Sequence, residues 1–453
     1  MNSLSRTILI ILISVLFQIS STAQEIKRKT FTLEQAVQTA IEMNAQLRSQ
    51  KYEVDRANAK VSEAWGTALP KVDITANYQR ALKKPVFFFP DIFGGTNRLM
   101  AIEIGATNSY ATSLTASQIL FNAAVITGIS TASIYSNAAR ELYNSKKVEI
   151  VTSVRKAFSQ ALLAREALKM MKEVLKNAED NLASVKVRNK KGIISDYDLL
   201  RAEVAVDNIR PLVIQAENGV SLSLDNLKAT IGLGGSEDIS IEGELTFQPV
   251  DDSLLQKAQN EILALNIPLR AIRLQKEVND AFVSIERSGY IPTLAAFYNY
   301  QYQAQRNPNV ISTNDFIASS IVGLSFSINI FNGIQTNSRI EQAKLEVRKT
   351  EETIRGVEAN LTTAVHSVVS LINQSRKRIE VQQKTVEQAQ KGYQLATTRY
   401  QNGLSTQLEV NDAQVALTQA KVNRMQAIFD YQNALADLDQ LIGRLPDYSE
   451  TTK

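Results

Sequence analysis

NAQLRSQKYEVDRANAKVSEAWGTALPKVDITANYQ, residues 44–79, returns 222 residues later as NIPLRAIRLQKEVNDAFVSIERSGYIPTLAAFYNYQ, residues 266–301. The register holds without a gap from Asn44/Asn266 through Pro70/Pro292 to Tyr78/Tyr300. Further on, ILFNA ending at Ala123 returns as NIFNG ending at Gly333. RNKKGIISDYDLLRAEVAV from Arg188 returns as RYQNGLSTQLEVNDAQVAL from Arg399, and Ile231-Gly232 returns as Ile442-Gly443. A period this long is far above the roughly 20–50 residues of a solenoid unit. It predicts two copies of one large module, each reading helix, strand, strand, very long helix, glycine turn, long helix.

The copies are expected over residues 24–250 and 251–453, joined into one composite body, after a targeting segment over residues 1–23. Arg6 precedes an apolar run from Ile8 to Phe17, and Ser21-Thr22-Ala23 is a small-residue cleavage signal. Outside that segment no apolar stretch reaches the roughly 18–20 residues of a membrane helix. An exported chain of this kind either stays soluble beyond the inner membrane or spans a membrane as a β-barrel. Cys is absent, which excludes disulfides and an acylated N-terminal Cys. With 50 Lys+Arg against 46 Asp+Glu, the charge is too balanced for a nucleic-acid footprint. The joint over 232–252, GLGGSEDISIEGELTFQPVDD, predicts a loop and a short strand.

From Ile129 to Lys191 there is neither Gly nor Pro, and from Ile334 to Lys391 only Gly356. A helix of about 65 residues spans roughly 100 Å, which points to a coiled coil. Val365, Ile372, Ile379, Val386, Tyr393 and Tyr400 recur every seventh residue, matched in the first copy by Val154, Ala161, Leu168, Leu175, Leu182 and Asn189. Strict heptads imply left-handed supercoiling. The second seam, Leu361, Val368, Ser375, Gln382, Ala389 and Ala396, is smaller and more polar. This combination suits helices packed side by side in a sheet or tube with one wet face.

Both rods end alike. Gly192 and Gly403 stand where a left-handed residue closes a helix. Ser195 and Thr406 follow, each with an acid three residues later, Asp198 and Glu409, the signature of a capping box. A sharp turn into a returning helix is therefore predicted in each copy. Pro211 lies inside the first returning helix, where a kink or break is expected.

Four segments alternate as half-apolar strands: Val72–Gln79, 113–120, 294–303, and Val322 to Ile330. In the last, Val322, Leu324, Phe326, Ile328 and Ile330 form one apolar, lipid-facing row. Such alternation is the signature of a membrane strand. Four strands cannot close a membrane barrel, for which about eight is the minimum. Several chains must contribute: two give eight strands and three give twelve. The loop from Arg80 to Glu103, containing KKPVFFFPDIFGGTN, reads as an exposed loop at the membrane surface.

No catalytic set emerges. G-x-S-x-G, H-E-x-x-H and phosphate-binding glycine loops are absent. His366 is the only His and cannot by itself build a metal site. Glu409 and Asp412, spaced i, i+3, share a helix face. Repeated by symmetry, they would form an acidic ring able to attract cations.

Taken together, the repeat, the strand ends Phe121-Asn122-Ala123 and Phe331-Asn332-Gly333, and the turn Arg399, Tyr400, Gly403, Leu408, Asp412, Ala413 resemble the TolC-type outer-membrane efflux protein family across the mature chain. The resemblance implies a mainly α fold with a small β-barrel portion. Three chains would form a periplasmic α-barrel and a 12-stranded transmembrane β-barrel. It implies a passive exit duct of a tripartite efflux or type I secretion system in a Gram-negative outer membrane. The duct would work with a periplasmic adaptor and an inner-membrane transporter of the RND or ABC type. Neither enzymatic activity, cofactor nor metal is implied. The turns at Gly192 and Gly403 would form the periplasmic tip, with Asp198, Tyr400, Glu409 and Asp412 at the gate. Ser405 and Tyr197 depart from the Arg and Thr that the family's best-known member uses to latch the tip. The rival reading is an exported coiled-coil scaffold or adhesin, which needs no lipid-facing strands.

Overall fold

A computed structural model describes residues 29–90, 99–235, 237–307 and 312–445. The expected targeting segment lies outside the described residues. The elements run β1 (Lys29–Phe31), α1 (Leu33–Met43), α2 (Ala45–Gly66), β2 (Lys71–Arg80), β3 (Val86–Pro90), β4 (Leu99–Glu103), β5 (Asn108–Phe121), α3 (Ala123–Lys190), α4 (Asp196–Ile231), β6 (Ile239–Ile241), α5 (Asp252–Leu265), α6 (Ile267–Arg287), β7 (Thr293–Arg306), β8 (Ile317–Ser327), α7 (Gln335–Gln401) and α8 (Gln407–Leu441). Two compact units emerge. One gathers the described parts of Met1–Ser49, Ser145–Asn266 and Leu361–Lys453, the other Gln50–Asn144 and Ile267–Asn360. Each draws segments from both sequence copies.

The long helices reach 68 residues in α3 and 67 in α7. α3 starts six residues before the expected Ile129 and runs through Gly128. The side-chain oxygen of Asn122 accepts from the backbone N–H groups of Ala124 and Val125 and caps the first turn. In the second copy Gly333 and Ile334 both take left-handed φ, so α7 begins later, at Gln335. Of the kink or break expected at Pro211, the break does not occur: α4 runs as one helix through it. Proline removes one bond of the ladder, but Val206 and Val213 are buried on either side, and that packing holds the helix together.

In the helical unit the heptad seam is the core. Val365, Ile372 and Ile379 are buried with Ala427, Ile428, Tyr431, Ala434 and Leu438 of α8 and Leu255, Ala258 and Ile262 of α5. Val386, Tyr393 and Tyr400 are only half-buried. The first copy declines in the same way, from buried Val154 and Ala161 to half-buried Leu168, Leu175, Leu182 and Asn189. The strand expected in the joint is confined to β6, which pairs in parallel with β1, a strand the sequence did not announce.

The corners of this unit explain why the repeat begins at Asn44 and Asn266. Each Asn ends one helix and opens the next. The Asn44 side-chain oxygen accepts from Gln46 N and Leu47 N, while its amide donates to Thr230 O at 2.9 Å. Asn266 donates to Leu441 O at 2.9 Å. Each therefore ties the end of a returning helix to a corner of its own repeat.

In the other unit β2, β5, β7 and β8 form an antiparallel sheet in that order. Pro70 and Pro292 precede β2 and β7; a residue without an N–H cannot extend the ladder. The last pair of β7 and β8 is accordingly Thr293 with Ser327. Ile328 and Ile330 therefore lie beyond the strand, and the expected lipid-facing row shortens to Val322, Leu324 and Phe326. The loop between β2 and β5 is also corrected: it contains an antiparallel ribbon in which VFFFP pairs with LMAIE.

Candidate functional site

Residues opposite one another in a ladder share a face. Following the pairing across the sheet gives one apolar face. It carries Val72, Ile74 and Tyr78 on β2, Tyr110 and Leu114 on β5, Leu294, Tyr298, Tyr300 and Tyr302 on β7, and Val322, Leu324 and Phe326 on β8. The Tyr78 and Tyr110 rings lie 4.8 Å apart, and Tyr302 stacks on Phe316 at 4.7 Å. The opposite face is mostly polar and bonds to itself. Thr75 meets Ser113 at 2.7 Å, and Asn299 donates to Thr115 at 2.9 Å. β2 and β8 each have one neighbour in the chain and leave an open edge.

The two turns are near-copies. Gly192 and Gly403 have φ of 71° and 73°. Gly192 N donates to Asn189 O at 2.8 Å and Ile193 N to Arg188 O at 3.0 Å. Gly403 N donates to Tyr400 O at 3.0 Å and Leu404 N to Arg399 O at 2.8 Å. This crossed pair is the Schellman motif, and it satisfies carbonyls that a helix end leaves open. Beyond the turns, Thr406 and Glu409 complete a reciprocal capping box at 3.3 Å each way. In the first copy Ser195 Oγ accepts from Asp198 N at 3.2 Å, and the Asp198 carboxylate accepts from the Ser195 hydroxyl at 2.8 Å. The shorter Asp makes no return bond to the Ser195 backbone.

Tyr400 is half-buried, and the Arg188 guanidinium lies 5.5 Å from its ring centre. This cation–π contact joins α3 of the first copy to α7 of the second. It was not read from the sequence, although Arg188 and Arg399 stand at the same place before their turns. Ser405, where the family latch would carry Arg, donates to Ala396 O at 3.3 Å. Tyr197 instead meets Arg201, at 5.7 Å. Tyr400 also lines a groove of about 570 Å³ with Tyr393, Gln407 and Asn411, and Asp198 lines a neighbouring one with Gln407 and Asn411. Gln407 Oε1 is buried without a partner. Glu409 and Asp412 line neither groove. Glu409 serves its cap, and Asp412 is exposed with no side-chain bond among the described residues.

Among the described residues no helix is long and apolar enough to cross a membrane. No group of three or more His, Cys, Asp or Glu is placed to hold a metal. Gln259 Nε2 lies 3.2 Å from Nδ1 of His366.

A family described as outer membrane efflux protein matches residues 36–233 and 258–444. Outer membrane protein TolC of Vibrio cholerae serotype O1 is 22% identical over 347 residues, 74% of this chain and 73% of that protein. Among solved structures, the outer membrane protein VceC from Vibrio cholerae superposes with a TM-score of 0.73 at 16% identity, covering 91% of this chain and 96% of that one. The open state of the Neisseria gonorrhoeae MtrE outer membrane channel gives 0.73 at 18% identity, covering 91% and 89%. The chain therefore belongs to the outer membrane efflux protein family, a family of transport ducts rather than enzymes, and is a TolC-type exit duct of a Gram-negative outer membrane that extends into the periplasm.

Proposed function

We propose that three copies of this chain assemble into the duct. Their sheets would join edge to edge into a 12-stranded barrel with the apolar face toward lipid, and their long helices would close into a tube across the periplasm. The observation that carries this reading is the sheet: four strands with one apolar face, one polar face and two open edges. Unpaired strand edges are not tolerated in lipid, and pairing β2 with β8 of the next copy removes all of them. Residues 24–250 and 251–453 are then two repeats of one composite body, delivered by a signal over residues 1–23.

At the tip, Gly192 and Gly403 turn the hairpins, and the contacts around Tyr400 and Asp198 hold the duct shut. An adaptor protein and an inner-membrane transporter would favour the open arrangement as a population shift. Glu409 and Asp412, repeated around the axis, form the acidic constriction. Fractionation followed by sizing in detergent tests the assembly. Outer-membrane recovery as a trimer is the expected result; recovery as a soluble, non-trimeric species overturns the proposal and favours the scaffold.

A further inference from the structure

The ribbon of β3 and β4 is exposed along its whole length. Its pairing places Phe87, Phe89, Met100 and Ile102 on one face and Val86, Phe88, Pro90, Leu99 and Ala101 on the other, where Glu103, opposite Val86 at the root, is the single charged residue. Docking on a flat protein surface would cover one face and leave the other in water. Two apolar faces suit immersion in an apolar medium that closes around both.

The root of the ribbon is basic. Arg80, Lys83 and Lys84 precede it, and Glu103 is the only acid among the described residues from 80 to 107. The root is also fixed. Ala81 N donates to Thr107 O at 2.8 Å and Ile104 N to Pro85 O at 3.0 Å. Lys84 Nζ donates to Asn307 Oδ1 at 2.8 Å, and Thr107 N donates to the same oxygen at 3.0 Å. On the apolar sheet face, the paired Tyr78 and Tyr110 come just before Arg80. Aromatic rings concentrate at the membrane interface, so Arg80 falls at the depth of lipid headgroups. The ribbon joins β2 to β5 at the end of the sheet away from α2 and α3, and thus on the outer side of a duct whose helices extend into the periplasm.

We propose that this ribbon is an interfacial anchor for the phosphate-bearing lipid of the outer leaflet: Arg80, Lys83 and Lys84 meet lipid phosphates while the Phe-rich faces sit among the upper acyl chains. The two-stranded ribbon has open edges, so it stays at headgroup depth, where polar groups can satisfy them, rather than entering the hydrocarbon core. The inference rests on the reading that the apolar sheet face meets lipid.

The test uses the full chain with its single Trp removed by Trp65→Phe and a reporter introduced by Phe88→Trp, in phosphatidylcholine vesicles. Brominated acyl chains are expected to quench the reporter, and bisphosphorylated lipid A to shift its emission to the blue saturably. Arg80→Gln, Lys83→Gln and Lys84→Gln should each raise the half-saturating mole fraction by about fivefold, the worth of one cation near an anionic surface. A reporter reached by aqueous iodide but not by brominated chains overturns the proposal. So does one reached by neither, which would place the ribbon against a second copy of the chain. An equal shift with dephosphorylated lipid A also overturns it. A parallel Val322→Trp reporter separates the two readings. If brominated chains fail to quench at both positions, the lipid-facing sheet fails; if they fail only at Phe88→Trp, the anchor alone fails.

Discussion

Gly232 and Gly192 share a left-handed backbone but not a neighbourhood. A Cβ at Gly232, φ 90°, would lie 2.9 Å from Met43 O and 3.0 Å from Asn44 Cα. One at Gly192 meets nothing within 4 Å. Gly192→Ala should therefore cost only the left-handed penalty of roughly 1–2 kcal/mol. Gly232→Ala should cost clearly more, because the clash is with backbone; thermal unfolding of the two variants gives the comparison, and equal losses would refute it. At the proposed tip, a partly exposed cation–π pair is worth about 0.5–1 kcal/mol. Arg188→Gln should raise the open probability of the duct in planar bilayers, whereas Tyr400→Phe, which keeps the ring, should leave it near the parent value. Tyr400 was legible as a gate candidate through the family resemblance. Arg188 was not, because its partner lies more than two hundred residues away.

At the scale of elements, the corners set by Asn44 and Asn266 join three helices each. Replacing Asn44 with Ala removes a helix cap and a part-buried bond to a returning helix, and replacing Asn266 removes the matching bond to Leu441 O. A loss of about 1–3 kcal/mol is expected in chemical unfolding for either variant, and similar losses would confirm that the corners are equivalent. Asp251 caps α5, and the hydroxyl and backbone N–H of Ser253 hold its carboxyl below the ordinary value of 3.8. Since the folded pKa is the lower one, the unfolded chain binds more protons in between. The stabilisation is present at neutral pH and is lost as pH falls through the folded value. Asp251→Asn keeps a good cap without the titration, so it should remove that part of the acid dependence while changing unfolding little at pH 7. Turns and heptads were readable because each is written in about seven consecutive residues. The end of β8 and the β3–β4 ribbon were not: Pro292 limits a strand whose partner is far away in sequence, and the aromatic run reads equally well as loop or strand.

For the whole molecule, the acidic constriction is a property of the proposed assembly rather than of one chain. Glu409→Ala with Asp412→Ala should relieve block of the duct by multivalent cations in planar bilayers; unchanged block removes the acidic ring. Glu409 also gives the return bond of the α8 cap, so the double variant should lose about 0.5–1.5 kcal/mol, the worth of one hydrogen bond, while Thr406 still caps the helix. Asp412→Ala alone separates the two effects, because Asp412 takes no part in the cap and has no side-chain bond among the described residues.

The sequence alone carried the duplication, the two long rods, both glycine turns, the four strands and the family. All of these rest on period, turn chemistry and order along the chain. Only the tertiary structure decided the register that lines the four apolar rows up on one face, where β8 stops, that α4 passes through Pro211, and that Arg188 meets Tyr400. Those outcomes depend on register and packing between residues far apart in sequence. A one-residue slip in the ladder would send every strand side chain to the opposite face, and nothing local to a strand forbids it.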